Sequence, residues 1–213
     1  MATPVFNLPG RVALPTIFSI TSATTNGVVS LLSDDLELGT DTGVEQVMGL
    51  RFANVQVPKD AVILDTRVQF TQKEDKNVEP FGVVIRAEAS GLAASFSRNL
   101  FDVSSRTGTV ASVLWTNVPA WTAHRESGTN QQTPNLAALV REVLARTNWL
   151  TGNPLVFLLI GQGCRTALSY DGYAAQSPRL DITYAVTNGV RIYYTLTAHC
   201  QARIPCSTPG LSR

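Results

Sequence analysis

Apolar and polar residues alternate with a period of two along much of the chain. The alternation is clearest in 62–70, 83–89, 180–184 and 190–196, and in the first of these the even-numbered residues are the apolar set. A strand that buries one face and exposes the other produces this pattern, and antiparallel sheets consist of such strands. Weaker candidate strands are 28–38, 47–57, 110–116 and 155–160. The pattern therefore predicts an all-β, antiparallel β-sandwich.

One segment has the spacing of a helix instead. Thr133 is placed to cap this segment, and Pro134 to occupy its first position. Apolar residues then recur three and four positions apart, which is typical of a helix with one buried stripe. The stripe consists of Leu136, Leu139, Val140, Val143 and Leu144. We predict a single helix, about 134–149, that covers the sandwich.

A glycine pattern after 155–160 has the layout of a dinucleotide-binding turn. Six apolar residues lead into Gly161-x-Gly163-x-x-Ala167. Such a turn works only when a helix and a second parallel strand follow it. Here the next strand begins at about residue 179, and the predicted helix precedes the glycines. We therefore reject a dinucleotide site and predict that Gly161 and Gly163 shape a turn between antiparallel strands.

The charge balance argues against two classes of partner. Of 213 residues, 44% are hydrophobic and only 15% are charged, and the formal net charge is +1. Nucleic acids and anionic membranes are bound by basic surfaces, so neither is an expected partner. The longest apolar run, 155–160, is too short to span a bilayer, which excludes membrane insertion through a helix. The N-terminus also shows no signal peptide.

Three cysteines leave the redox state open. Cys200 and Cys206 bracket the short segment QARIP, and a disulfide between them would close a small loop. Such a bridge favours an oxidising compartment. The alternative, to which we give equal weight, is two free thiols in the cytosol. Cys164 is left without a predicted partner.

Four stretches together resemble a known kind of module. They read LRFANVQVPKDAVILDTRVQFT, SSRTGTVASVLWTNVPAWT, QTPNLAALVREVLARTNW and GQGCRTALSYDGYAAQSPRLDITY. In this order they resemble a module, over about residues 28–184, that recurs in secreted and cell-surface proteins of bacteria and algae. The resemblance implies a jelly-roll β-sandwich of the carbohydrate-binding-module type and an extracellular or cell-surface location.

Both ends of the chain extend beyond this module. We divide the chain into an N-terminal extension, 1–22, the sandwich module, 23–184, and a C-terminal extension, 185–213. Asn188-Gly189 is a strong signal for a tight turn, so 179–185 and 190–198 are predicted to form a hairpin.

Catalytic motifs are scarce. The two histidines are His124 and His199, and no nucleophile elbow, paired-histidine zinc motif or phosphate loop is present. His124 with Cys164 is the one conceivable nucleophile pair, but a cysteine after an apolar strand usually only packs. We predict a non-catalytic protein.

Acidic residues make calcium a candidate ligand. Asp34, Asp35 and Glu37 cluster with Asp41, and a neighbouring last strand would bring Asp181 to them. Ca²⁺ is bound by several carboxylate and carbonyl oxygens. The alternative is an ordinary acidic strand face and turn.

Aromatic residues in loops make a glycan the other candidate ligand. Trp121, Tyr170 and Tyr173 lie in loop-like stretches, with Asp171 and Arg165 as polar partners. Aromatic faces and convergent polar groups are what a sugar site needs. The alternative for Trp121 is a place in the core.

The N-terminal extension predicts self-assembly. Val12, Leu14, Phe18 and Ile20 alternate in a segment rich in proline and glycine. An exposed sheet edge can accept a strand from a neighbour, and a head-to-tail contact that does not close makes a filament. We expect a non-catalytic structural subunit that forms a homopolymeric fibre or surface layer by donor-strand exchange. A carbohydrate-binding module is the alternative, and a virion decoration or fibre protein is a third.

Overall fold

A computed structural model describes residues 19–23, 26–187 and 191–199, with side chains described from 26 to 186. Within these residues there are ten strands and two helices, joined by irregular segments and two single 3₁₀ turns. In chain order they are β1 Ser19–Ala23, β2 Val29–Ser30, β3 Asp35–Asp41, β4 Val44–Phe52, β5 Val62–Gln69, β6 Val78–Ala87, β7 Val113–Thr116, α1 Ala137–Leu144, β8 Leu155–Leu168, α2 Tyr170–Tyr173, β9 Arg179–Thr187 and β10 Arg191–His199.

The strands form two antiparallel sheets, which confirms the predicted all-β sandwich. The larger sheet has the order β2-β1-β4-β3-β8-β6-β7, and the smaller has the order β10-β9-β5. One apolar core contains residues of both sheets, including Phe52, Phe70 and Ile182, each at most 1% exposed. The predicted hairpin between β9 and β10 is confirmed, with nine pairs from Arg191↔Thr187 to His199↔Arg179.

Strand β5 departs from the predicted alternation in its first half. Ile63 is buried at 1% exposure, while Val62 and Leu64 are 51% and 40% exposed. The pairing of β5 with β9 shifts between Ile63 and Asp65, so a bulge changes which residues face the core. Beyond the bulge the even-numbered residues, such as Val68, are buried as predicted.

The glycine pair lies within a strand and not in a turn between strands, so that prediction was wrong. β8 runs for 14 residues through both glycines. Its first half pairs with β4, and its second half with β3. Gly163 has φ +71°, and a side chain there would meet backbone oxygens of Val78 and Pro80 at 2.5 Å. The glycines let a continuous strand lie close to the backbone of β6.

The helix is shorter than predicted. α1 spans Ala137–Leu144, and the segment before it, 131–136, runs along the edge of β5. The Thr133 hydroxyl accepts a hydrogen bond from the Val68 amide at 2.9 Å, so Thr133 does not cap the helix. Asn135 Oδ1 instead accepts from the Ala137 amide at 2.8 Å. A four-residue helix, α2, was not predicted.

A loop covers part of the outer face of the larger sheet. Phe96 and Val103 from this loop form a second small core with Val47 and Leu158 of the sheet. Arg106 stabilises the loop, because its guanidinium lies 4.3 Å from the centre of the Phe96 ring and donates hydrogen bonds to several oxygen atoms. Those oxygens belong to Glu88, Ala94, Ser95 and Asp102.

Candidate functional sites

Among the described strands, the outer edge of β10 is the longest edge of an end strand without a second partner. β10 pairs with β9 along all nine residues without a register shift, and no second strand pairs with it among the residues described. Its sequence, RIYYTLTAH, contains no proline, lysine or acidic residue, and its one arginine, Arg191, is at the first position. Natural edge strands are usually protected by such residues, by bulges or by shortness. β10 is therefore suited to accept a further strand.

The other three end strands are short or covered. β2 has two residues and β7 has four. The edge of β5 is occupied by 131–136, with backbone bonds from Thr133 N to Val68 O at 3.0 Å and from Leu136 N to Thr66 O at 2.7 Å. Just before β7, Glu142 accepts hydrogen bonds from the amides of Val110 and Ala111.

The candidate assembly strand is divided by the structure. Ile20 belongs to β1, where it is paired with Gly49 of β4 in the same chain. Val12, Leu14 and Phe18 lie outside the described residues. β1 also crosses the predicted domain boundary after residue 22. A donor segment that leaves the fold intact must therefore end at residue 18.

Two lysines form ion pairs with the four residues of the acidic cluster. Lys73 Nζ lies 3.0 Å from Asp34 and 3.1 Å from Asp35, and Lys76 Nζ lies 2.8 Å from Asp41 and 3.6 Å from Glu37. The hydrogen bond that Lys76 donates to Asp41 raises the pKa of Lys76. The ammonium groups of Lys73 and Lys76 already pair with the carboxylates that would have to bind a metal cation. Among the described residues no group of three or more acidic, histidine or cysteine side chains is arranged to hold a metal ion.

Asp181 does not join this cluster, which corrects the predicted calcium arrangement. Asp181 lies on β9 of the smaller sheet, and the cluster lies at β3 of the larger sheet. Its carboxylate accepts hydrogen bonds from Arg179 on the same strand, the shortest at 3.0 Å. The first and last strands belong to different sheets, so the assumption that they are neighbours was wrong.

Glu37 should make the stability of the fold pH-dependent. Burial, with Asp35 and Asp41 nearby, raises the pKa of Glu37. A folded-state pKa above the unfolded value means that the folded chain retains the proton longer, so stability falls as pH rises through this window. We expect Glu37→Gln to gain stability relative to wild type as the pH rises above 4.5, the ordinary pKa of a glutamate, measured by urea unfolding. Glu74→Gln, at an exposed position, is the control, and a parallel pH profile for Glu37→Gln and wild type would contradict the prediction.

The glycan candidates are only partly brought together. Tyr170, Asp171 and Tyr173 share helix α2, and Tyr173 is 40% exposed. The guanidinium of Arg125 lies 4.5 Å from the centre of the Tyr173 ring, so a cation already covers one face of the ring.

Trp121 and Arg165 cannot contribute to a glycan surface, which corrects those two assignments. Trp121 is 1% exposed, lies 6.3 Å from Trp115 between ring centres, and donates its indole N–H to Asn130 O at 3.1 Å. The alternative core role of Trp121 is confirmed. Arg165 is fully buried. Of the aromatic residues predicted to bind a glycan, only the tyrosines of α2 therefore remain as candidates for an exposed platform.

A polar groove lies beside α2. It has a volume of about 210 Å³ and is bounded by the 3₁₀ turn that follows α2, by the loop at Ser127 and by the ends of β5 and β9. Amide, hydroxyl and guanidinium groups line it, from Gln69, Thr71, Ser127, Gln176, Ser177 and Arg179. Such groups hydrogen-bond sugars as well as water.

The conceivable nucleophile pair is not assembled. Cys164 is buried, and burial raises the pKa of its thiol to about 11, so the thiolate is disfavoured at neutral pH. His124 is exposed, and its Nδ1 lies 3.0 Å from the carbonyl oxygen of Lys73. No hydrogen bond joins these two side chains in the described part of the chain. Cys200 and Cys206 lie outside it.

Sequence reasoning missed the most elaborate polar site, which surrounds Arg165. A single arginine in an alternating strand gives no signal of burial.

Within the described residues, no helix is long and apolar enough to cross a membrane. Comparison with protein-family models, curated proteins and solved structures finds no match.

Proposed function

We propose that the protein is a non-catalytic structural subunit that polymerises with itself into a fibre or surface layer by strand addition. The observation that carries the proposal is the open edge of β10, nine residues long and without a second strand partner among the described residues. Strand addition supplies main-chain hydrogen bonds along the whole edge, so it needs no specialised pocket. An extracellular or cell-surface location is part of the same proposal.

The positions of the two terminal strands favour an open polymer. β1, which follows the N-terminal extension, belongs to the larger sheet, and β10 belongs to the smaller sheet. Donor and acceptor would therefore be different surfaces of one subunit. A contact between two different surfaces repeats without closing unless the rotation forms a ring. The two different surfaces support a proposal of filament formation.

Removing residues 1–18 should abolish assembly and leave the fold intact. The truncation keeps β1 and every strand pair described, so we expect an unchanged thermal unfolding midpoint. Negative-stain electron microscopy should show filaments from the full chain and none from the truncated chain. A chain that lacks only residues 1–8 is the matched control and should assemble. Monomers from the full chain would contradict the proposal.

A carbohydrate-binding module is the second candidate, favoured by the polar groove next to Tyr173. This candidate predicts a monomer whose glycan affinity falls in Tyr173→Ala. Glycan-array binding by a monomeric full chain would support it. A virion decoration protein would share the filament candidate's edge, and its partner would be a capsid protein instead of a second copy.

A further inference from the structure

We infer that the polar groove beside α2 binds a single acidic sugar residue, with the Thr71 hydroxyl and the guanidinium groups of Arg125 and Arg179 as its main contacts. This inference gives a ligand class to the groove that favours the second candidate above. It does not depend on polymerisation of the chain, so the two can fail separately.

The Thr71 hydroxyl indicates that the groove has room and need for a ligand. Thr71 is only 7% exposed and lines the groove, and its hydroxyl makes no hydrogen bond within the described part of the chain. A buried hydroxyl without a protein partner can bond only to water or to a ligand group that reaches it. The side-chain amide of Gln176 is a second lining group without a partner among the described residues.

Other lining groups hold the groove in shape. The Gln69 amide donates to the carbonyls of Phe70 and Gly128, both at 3.0 Å. Its oxygen accepts a hydrogen bond from Gln132 at 3.2 Å. The Ser127 hydroxyl also donates to the Phe70 carbonyl at 3.0 Å. These bonds fix the loop against the end of β5, so a ligand meets a preformed site.

The charges in and beside the groove favour an anionic ligand. None of the described side chains that line it is acidic. Arg179 binds Asp181 through Nε and Nη2, which leaves its Nη1 as a donor. Arg125 lies two residues before the lining Ser127 and has no carboxylate partner among the described residues. Guanidinium groups bind anionic oxygens through charge-assisted hydrogen bonds.

The size of the groove and the neighbouring Tyr173 ring favour a single sugar ring. The groove volume is about 210 Å³, below the roughly 300–1,000 Å³ of sites for drug-sized ligands. Tyr173 directly precedes the turn 174–176 of one wall, and its ring contacts Arg125, which precedes the other wall. A 40% exposed ring beside hydroxyl and amide groups offers apolar and polar contacts together, which the C–H and hydroxyl groups of a sugar match.

Thr71→Val in the full-length chain tests the site without removing a contact within the protein. We expect an unchanged unfolding midpoint and about fivefold weaker binding of methyl glucuronide, measured by ligand-observed NMR. Thr66→Val is the matched control, because the Thr66 hydroxyl on β5 is also buried without a partner but does not line the groove. It should leave the affinity unchanged.

Arg125→Gln tests the acidic group of the ligand. We expect it to weaken binding of methyl glucuronide about tenfold. Methyl glucoside, the neutral counterpart, should bind the wild-type chain about tenfold more weakly than the glucuronide and should not respond to Arg125→Gln. A 6-sulfated methyl glucoside distinguishes the two acidic groups, since tighter binding of either compound names a sulfate or a carboxylate as the natural group.

Three results would overturn the inference: no binding of either acidic sugar to the wild-type chain, equal binding of acidic and neutral sugars, or equal effects of Thr71→Val and Thr66→Val. Ligand-observed NMR detects binding to monomers and to filaments alike. Absence of filaments would therefore overturn the proposed function and leave this site standing, and absence of sugar binding would do the reverse.

Discussion

Replacing Arg165 with methionine should lower the free energy of unfolding by about 3–5 kcal/mol, the usual cost of removing one partner from a buried charged network. The Arg165 side chain is fully buried and holds three backbone carbonyls, those of Val118, Pro119 and Cys164, at 2.8 to 3.1 Å. Methionine fills similar volume but leaves these oxygens without a donor. Urea unfolding monitored by tryptophan fluorescence measures the loss.

Two control substitutions separate the contributions within this network. Arg165 also donates to the carboxylate of Glu79, whose pKa it lowers, and its guanidinium lies 4.8 Å from the Phe81 ring centre. The Glu79 side chain is 62% exposed, so Glu79→Gln should cost clearly less than Arg165→Met. Arg165→Lys keeps the charge but not the planar fork, and it should recover only part of the loss. Wild-type stability in Arg165→Met would show that the carbonyls find other donors.

Trp121→Ala should also destabilise the fold by about 3–5 kcal/mol, the range for truncation of a buried aromatic residue. The Trp121 ring packs near that of Trp115. The backbone N–H of Trp121 donates a hydrogen bond to the side chain of Asn77, and the carbonyl of Trp121 accepts one from it. These bonds connect residue 121 to the segment before β6. Tyr173→Ala, which truncates a 40% exposed ring, is the control and should cost less than about 1 kcal/mol. Chemical denaturation of both variants provides the comparison.

The pair Trp121→Ala and Tyr173→Ala also tests which aromatic residues could contribute to glycan binding. A stable Trp121→Ala chain with weakened glycan binding would contradict the core role of Trp121. Destabilisation without any change in glycan binding would leave the tyrosines of α2 and the adjacent groove as the part of the surface relevant to sugars.

Several elements follow from the sequence because their pattern is local. In β6 and β9 the predicted core residues are buried, as in Val83 and Ile85 at 0% and Ile182 at 0% exposure. Strict alternation specifies one face of a strand wherever the strand is regular. The β9–β10 hairpin follows for the same reason, since Asn-Gly between two alternating runs specifies a tight antiparallel connection.

Other features depended on contacts between distant parts of the chain. Thr133 and Pro134 are residues typical of a helix start. In the fold, however, the segment 131–136 forms hydrogen bonds with the edge of β5, and the helix begins later. The acidic cluster has the composition of a cation site. In the fold, however, Lys73 and Lys76, more than 30 positions away along the chain, form ion pairs with it. Local signals cannot include a competing long-range partner.

The sequence by itself determined the all-β class, the regular strands and their buried faces, because side-chain alternation with backbone geometry is enough to specify them. Only the tertiary structure decided the bulge in β5, the close approach of β8 to β6 at its glycines, the burial of Trp121 and Arg165, and the place of β10 at the end of its sheet among the described strands. Each of these depends on which backbone or side chain lies opposite a residue in space, and the spacing of residue types along one chain does not record that.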